Sequence, residues 1–275
     1  MTHGPGGAMK QTPRNRMVAF AAVVLLVLSA CAGGTGALPS PPVRPNGQAL
    51  WRIIHDQCVP GEQSRHDPAP CVVTSIPDGE AHGFVVMKDR TGVAQHLLLP
   101  TAKITGIEDP LILEPQATNY FARAWDERGL VQGRLPRPLG RSQISIAVNS
   151  IYGRSQDQLH LHIDCLDPSV GAALKVAEIP HDESWSHVVS LNGHPYRVRW
   201  LDADRLESTN PFKLLAQTQP GAREAMGAWT LALIGAAGPG GAPGFYLLAD
   251  RANPAHGDNG SAEELQDHQC RVDKP

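Results

Sequence analysis

The sequence predicts an α+β fold in which helices pack against an antiparallel sheet. Stretches that alternate polar and apolar residues, or are rich in β-branched and aromatic residues, recur along the chain and are typical of strands. Amphipathic helical stretches separate pairs of these strands. The order strand, strand, helix, strand, strand occurs within residues 49–168 and again within residues 169–275. We therefore expect two halves of similar architecture; an unrelated α+β extension after residue 168 is the alternative.

The first 31 residues are predicted to be a targeting segment. Basic residues precede an apolar run at residues 17–30, and Cys31 follows it. This order is typical of a secretory signal, and the run is short for a membrane span of about 20 residues. Residues 28–31 are similar to a bacterial lipobox, in which cleavage leaves a lipidated Cys31; the alternative is an uncleaved membrane anchor. In either case we expect the body outside the cytoplasm, attached to the inner membrane or cell envelope.

Residues 32–48 are rich in glycine, proline and alanine, and predict a flexible linker. The body that follows is long enough for one large domain or two smaller ones. The formal net charge is −3, the sequence has no basic runs, and aromatic residues make up only 5% of it. These features argue against a nucleic-acid partner.

The first half contains the predicted elements of one complete unit. Residues 49–57 form an amphipathic helix. Residues 83–88 and 95–99 form a hairpin, and residues 119–130 form a second helix. Residues 143–148 form a strand that leads through a polar loop to the fourth strand.

The second half repeats this order. Its predicted elements are a helix at 170–176, strands at 187–191 and 196–201, a helix at 211–226, and strands at 229–234 and 244–249. Residues 245–248 correspond in order to the fourth strand of the first half, and they include no histidine.

The fourth strand of the first half, residues 158–165, alternates strictly between polar and apolar residues. This period of two places Gln158, His160, His162 and Asp164 on one face of a half-buried strand. Neighbours on one face lie about 6.5–7 Å apart, so both imidazoles can contact one ligand. The other face is apolar and suits a core, so we expect the polar face to line a cleft.

Three interpretations of the two histidines compete. The first is an ordinary strand whose polar face is exposed. The second is a metal site, in which His96 or Asp164 would supply a third ligand to His160 and His162. The third is nucleophilic catalysis, in which one imidazole attacks phosphorus and the other groups stabilise charge.

The cysteines predict two disulfides. If Cys31 carries lipid, four remain, and an even number in an exported chain favours bridges. Three connectivities are possible. Cys58 and Cys71 flank a short loop, and we predict that they pair, a closure worth roughly 3 kcal/mol. Cys165 would then pair with Cys270; a zinc site is the rival interpretation, and the spacing lacks Cys-x-x-Cys.

The region around residues 158–165 resembles the histidine-triad superfamily of nucleotide hydrolases and transferases. Members carry His-φ-His-φ-His-φ-φ on a strand, where φ is an apolar residue. The resemblance is closer to one branch, the bacterial CDP-diacylglycerol pyrophosphatases. It extends over nearly the whole body, through blocks at residues 50–58, 68–71, 98–100, 104–110, 148–150 and 265–270.

The resemblance implies a histidine-triad-like antiparallel sheet, with a second half that is a degenerate copy. It implies hydrolysis of CDP-diacylglycerol, a liponucleotide, to CMP and phosphatidate without a metal or other cofactor. Gln158 stands at the first histidine position, His160 at the nucleophile's position and His162 at the third. His162 would then contact the phosphate and the leaving oxygen. Asp164 departs from the pattern, which has an apolar residue there, and an alternative register makes His162 the nucleophile.

The resemblance also suggests substrate contacts. Asn149 and Ser155 match polar positions that bind nucleotide or phosphate. Gln158 is a further candidate, and His96 and Lys103 lie near the edge of the expected site. Two other functions remain open from the sequence. One is a metal-dependent phosphoesterase that uses both histidines of the fourth strand, and the other is a non-enzymatic lipoprotein that binds nucleotides or lipids.

Overall fold

The computed structural model describes residues 38–271, together with residues 1, 2 and 4. The apolar run at 17–30, the lipidation site Cys31 and the first part of the predicted linker, up to residue 37, lie outside the described residues. Their assignments remain predictions. Among the residues that the structure describes, no helix combines the length and the apolar character needed to cross a membrane.

In the described part of the chain, nine strands form one antiparallel sheet. The strands are β1 (Val73–Ser75), β2 (Phe84–Lys88), β3 (His96–Pro100), β4 (Ile144–Val148), β5 (Leu161–Cys165), β6 (His187–Leu191), β7 (His194–Asp202), β8 (Trp229–Ala237) and β9 (Pro243–Arg251). Their spatial order is β1-β2-β3-β5-β4-β8-β9-β7-β6. The pairing of β4 with β8 joins a β2-β3-β5-β4 half to a β6-β7-β9-β8 half. The predicted α+β class is confirmed.

Six short α-helices lie among the strands of the described chain. They are α1 (Ala49–Ile53), α2 (Val59–Arg65), α3 (Tyr120–Asp126), α4 (Gly129–Gln132), α5 (Pro168–Val176) and α6 (Pro211–Thr218). A π-helical turn, Ile54–Cys58, joins α1 to α2. Three helices begin where a side-chain oxygen accepts a hydrogen bond from a first-turn N–H, at Asn119, Asp167 and Asn210.

The two faces of the sheet carry different layers. Leu161 and Ile163 of β5 face the larger core, where α3 and α6 meet with the rings of Phe121 and Phe212 5.1 Å apart. On the opposite face, the α1–α2 helix packs on β2 and β3, and α5 packs on the second half. The alternation in residues 158–165 thus separates a buried apolar side from a side that bears the histidines.

The elements differ from the predictions mainly at their ends. The first helix continues past residue 57 to Arg65, because the π-helical turn puts Pro60 in the first turn of α2, where no N–H is needed. The helix predicted at 211–226 ends at Thr218, because Pro220 and Gly221 follow and Gly221 adopts a positive φ of 73°.

β5 is shorter than the predicted strand. Its ladder begins at Leu161, because the N–H of Leu159 donates to the Ile104 carbonyl at 2.6 Å instead of to a neighbouring strand. The alternation still extends through these residues, since Leu159 and Leu161 both lie in the larger core. His160 therefore shares the face of His162 although it precedes the ladder.

Both predicted disulfides are present. Cys58 bonds to Cys71, and Cys165 bonds to Cys270. The second bridge holds the C-terminal segment, residues 262–270, against β4 and β5. The N–H of Asp267 in this segment also donates to the Cys165 carbonyl at 2.9 Å.

Part of the segment predicted as a linker is held against the body. In the described residues 38–48, the Arg44 side chain donates to the backbone carbonyls of Ile151 and Arg154 and pairs with Asp157. The N–H of Asp157 donates to the Gly47 carbonyl at 2.6 Å. The path from residue 38 into α1 is therefore fixed beside the loop that precedes His160.

Candidate functional site

His160 and His162 lie at the N-terminal end of β5, where they line a cavity of about 610 Å³. Their ring centroids are 4.9 Å apart, and the rings meet edge to face. The residues are only 6% and 5% exposed. The strand's period of two creates this arrangement, because alternate side chains share one face.

The cavity has a polar end and an apolar wall. The polar end comprises both histidines with Asn149, Ser155, Gln156 and Glu263, and the hairpin residues Lys88, Asp89, Arg90 and Thr91. The apolar wall comprises Leu50 and Ile53 of α1, Met87, Leu97 and Pro70. This lining suits a ligand that has both polar and apolar groups.

The backbone fixes which nitrogen of His160 carries the proton. Its Nδ1 lies 2.7 Å from the Gln158 carbonyl oxygen, which can only accept, so Nδ1–H donates. Nε2 therefore keeps its lone pair in the neutral ring. Burial, with the neighbouring His162, lowers the pKa of His160 to about 4. The imidazole is therefore neutral at pH 7, with its Nε2 unprotonated.

His162 has different partners. Its Nδ1 lies 2.8 Å from Nε2 of Gln95 and 3.3 Å from Oε1 of Glu263, while its Nε2 is buried without a protein partner. Burial lowers the pKa of His162 as well, although the Glu263 carboxylate opposes that shift. The two adjacent imidazoles thus differ in the groups that contact their ring nitrogens.

Glu263 connects His162 to a partly buried chain of polar groups. Its Oε2 accepts from the Asn149 amide at 3.0 Å, and its Oε1 lies 3.5 Å from Nε2 of His268. Nδ1 of His268 lies 2.8 Å from Oδ2 of Asp164. The hydrogen bond that His268 donates to the Asp164 carboxylate, opposed in part by burial, raises the pKa of His268.

The structure brings some of the predicted site residues together and leaves others apart. Asn149 and Ser155 line the cavity beside the histidines. Gln158 does not, because it is fully buried and its amide donates to the carbonyls of Pro100 and Ala102. Lys103 is exposed beside α1, with Nζ 5.8 Å from the Trp51 ring centroid.

His96 lies on the other side of the sheet. It pairs with Ile163, whereas Leu97 pairs with His162. Directly paired residues share a face, so His96 lies on the face opposite His162. Its Nδ1 is 2.8 Å from the Ala94 carbonyl oxygen. It is therefore not positioned to join the two cavity histidines around one ligand.

The described residues contain one group of three potential metal ligands within 4.8 Å of one another, namely Asp164, Cys165 and Cys270. The two sulfur atoms form a disulfide and are not thiolate ligands. Asp164, the other proposed third ligand, accepts from His268. The donors around His160 and His162 therefore do not match the three-ligand set considered from the sequence.

Sequence reasoning missed Gln95, Glu263 and His268 as parts of the site. Gln95 was assigned only to the start of a strand. Glu263 lies 168 residues further along the chain, and no local pattern links the two. The block at 265–270 was the one available signal, since it contains His268 and belongs to the resemblance.

Comparison with known proteins identifies the family of this chain. Residues 45–274 match the family model described as CDP-diacylglycerol pyrophosphatase. A protein of Yersinia pestis named CDP-diacylglycerol pyrophosphatase is 45% identical over 228 residues, which cover 82% of this chain and 85% of that protein. The chain belongs to the CDP-diacylglycerol pyrophosphatase family.

Proposed function

We propose that this protein hydrolyses the pyrophosphate bond of CDP-diacylglycerol to CMP and phosphatidate, with His160 as the nucleophile. Family membership supports the reaction. The hydrogen bond from His160 Nδ1 to the Gln158 carbonyl supports the nucleophile, because it leaves the Nε2 lone pair free beside the cavity. A covalent route divides one displacement into two easier ones.

In the first step, Nε2 of His160 attacks the phosphorus on the cytidine side. An N–P bond forms, and the bond from that phosphorus to the bridging oxygen breaks. Phosphatidate leaves with the electron pair. The Nδ1 proton stays in its hydrogen bond to the Gln158 carbonyl, which stabilises the positive charge that develops on the ring.

In the second step, water attacks the same phosphorus. The N–P bond breaks, its electron pair returns to Nε2 of His160, and CMP leaves with the water oxygen. The proton lost by the water passes to solvent. The enzyme is thereby restored to the protonation state in which it began.

His162 is assigned a different role, as a hydrogen-bond donor to the phosphoryl or bridging oxygen. Its Nδ1 receives the Gln95 amide N–H, so its own proton lies on Nε2. A protonated nitrogen has no lone pair with which to attack phosphorus. This contrast with His160 favours His160 over His162 as the nucleophile.

The cavity suggests how the substrate is oriented. The apolar wall formed by Leu50, Ile53 and Met87 would contact the glycerolipid part. Asn149, Ser155 and Arg90 would contact the nucleotide and its phosphates. Arg90 of the hairpin lines the cavity and would supply positive charge to the pyrophosphate.

The sheet topology supports an origin as two histidine-triad-like halves. The β2-β3-β5-β4 and β6-β7-β9-β8 halves have the same order and meet at β4 and β8. β9 occupies in its half the place that β5 occupies in the first, and it carries no histidine. On this proposal, residues 49–168 are the catalytic half and residues 169–275 a degenerate copy. In the copy, α5 covers the face that would bear the site.

Membrane attachment is part of the same proposal. Lipidated Cys31, or alternatively an uncleaved leader, would hold the enzyme at the bacterial inner membrane or cell envelope, where a lipid substrate resides. The chain enters α1 directly from the segment fixed by Arg44, so Leu50 and Ile53 of the apolar wall follow that segment closely.

A turnover assay tests this function. The full chain in detergent micelles is supplied with CDP-diacylglycerol, with and without EDTA, beside the variants His160→Ala and His162→Ala. We expect CMP release that EDTA does not change, that is abolished in His160→Ala and that is reduced in His162→Ala. Release abolished by EDTA would instead indicate a metal-dependent phosphoesterase. No release by the wild type would favour a lipoprotein that only binds.

A further inference from the structure

A single nitrogen of Gln95 lies between two groups that need a donor. Nε2 of Gln95 is 2.8 Å from Nδ1 of His162 and 3.2 Å from Oε1 of Glu263. Gln95 is fully buried, so water does not compete for these contacts. If the amide were turned over, its oxygen would face the Glu263 carboxylate, and the two acceptors would repel each other.

Glu263 is itself held as an anion in one orientation. Its carboxylate accepts from Asn149 and lies beside His268, which is paired with Asp164. Burial raises the pKa of Glu263, but the hydrogen bonds from the amides of Gln95 and Asn149, together with the nearby His268, favour the carboxylate, and the pKa lies below its usual range. The acceptor that orients Gln95 is therefore present at neutral pH.

The two elements that carry these residues are attached to each other. Gln95 ends the hairpin turn between β2 and β3, and Glu263 lies in the 3-10 turn Ala262–Leu265. The N–H of Val93 in the hairpin donates to the His268 carbonyl at 2.8 Å. The contact between Gln95 and Glu263 thus joins the hairpin to the C-terminal segment beside the cavity.

We propose that Gln95 and Glu263 are positioning residues that keep His162 in the Nε2–H tautomer, so that it donates a hydrogen bond to the substrate. Glu263 orients the Gln95 amide, and the amide N–H occupies Nδ1 of His162. The proton of the neutral ring must then lie on Nε2, which is the buried nitrogen without a protein partner. The expected effect on turnover rests on the proposed function. The protonation of His162 at Nε2 does not depend on it.

Removing the amide should reverse the tautomer. In Gln95→Met, a side chain of similar length cannot donate to Nδ1 of His162. The nearest polar atom to Nδ1 is then Oε1 of Glu263, at 3.3 Å, which can only accept. The ring proton should move to Nδ1, and Nε2 should lose the proton that it would donate to the substrate. Loss of one preorganised donor lowers kcat by about 100-fold.

The test is the ¹⁵N chemical shifts of the histidine rings in the full chain in micelles, recorded near pH 7. The His162 signals are assigned by their loss in His162→Gln. We expect Nε2 protonated and Nδ1 bare in the wild type, and the reverse in Gln95→Met with about 100-fold lower kcat. Glu263→Gln should give a mixture, because an amide there no longer dictates the orientation of Gln95.

Gln266→Met is the matched control. Gln266 is also a buried glutamine, but it donates to the His162 carbonyl and to Ser145, not to the imidazole. It should leave the His162 tautomer unchanged even if stability falls. A wild-type ring with its proton on Nδ1, or a ring in Gln95→Met that keeps Nε2–H, would overturn the proposal. Wild-type Nε2–H without turnover of CDP-diacylglycerol would instead contradict the proposed function and leave the positioning role intact.

Discussion

At the scale of single residues, the proposed mechanism depends on two neutral imidazoles with opposite tautomers. His160 donates from Nδ1 to a backbone carbonyl, and on the proposed arrangement His162 accepts at Nδ1 from the Gln95 amide, 2.8 Å away. Both rings are almost fully buried, which disfavours their charged forms. On the proposed mechanism, His160 attacks and His162 donates a hydrogen bond, although the two residues are only two positions apart on one strand.

This arrangement predicts an unusual pH dependence. The pKa of His160 is lowered to about 4, below the reference of about 6.5, so the neutral nucleophile persists in mild acid. His162, Glu263 and Arg154 are the charged or titratable groups that act on it. We expect kcat/KM to stay level between about pH 8 and about pH 6 and to fall by half near pH 4.

Recovery of full activity when the pH is returned to 7 would separate this titration from unfolding. A fall by half near pH 6.5, the reference value, would show that burial does not protect the nucleophile from protonation.

At the scale of elements, the strand pattern predicted the site better than it predicted the limits of β5. Alternation placed both histidines on one face, and this held even where the ladder had ended. Alternation could not show that Gln158 turns to the carbonyls of Pro100 and Ala102, because that contact comes from a loop some 56 residues away. Gln95 and Glu263 were beyond sequence reasoning for the same reason, since they meet only through the folded C-terminal segment.

The contribution of the first helix to the orientation of the substrate can be tested. Leu50 lies on α1, is half-buried and lines the cavity. Leu50→Asp should lower turnover of CDP-diacylglycerol in vesicles by at least about tenfold, because a charge replaces an apolar contact. Turnover of CDP-glycerol, which lacks the acyl chains, should change little.

Val188→Asp is the matched control, because Val188 is an exposed apolar residue on β6, in the other half of the sheet. Equal losses on both substrates in Leu50→Asp would contradict the assignment of the apolar wall to the lipid.

At the scale of the whole molecule, the disulfides fix the two ends of the site. Cys58–Cys71 lies in the helical layer that bears the apolar wall, and Cys165–Cys270 holds the segment that carries Glu263 and His268. The cysteine pairs were predictable from number and order, since the four cysteines after residue 31 allow only three connectivities. Their relation to the cavity was not, because it depends on how the C-terminal segment crosses β4 and β5.

The two bridges should contribute unequally to stability. Cys165–Cys270 spans 105 residues and Cys58–Cys71 spans 13. Loop closure then predicts that replacing both cysteines of the longer bridge by alanine lowers the free energy of unfolding by about 5 kcal/mol, against about 3 kcal/mol for the shorter bridge. Urea titration of the two double variants measures the difference, and the reverse order would contradict the entropic account. Only removal of the longer bridge should also change the His162 tautomer, because that bridge holds the segment that carries Glu263.

The most direct test of the central claim is to trap the covalent intermediate. The enzyme is mixed with CDP-diacylglycerol labelled in the cytidine-side phosphate and quenched within one turnover, and the labelled peptide is sequenced by mass spectrometry. We expect a cytidylyl group on His160, with an N–P bond that is stable in base and labile in acid. The group should be absent from His160→Ala. A cytidylyl group on His162, or multiple turnovers without any labelled peptide, would contradict it.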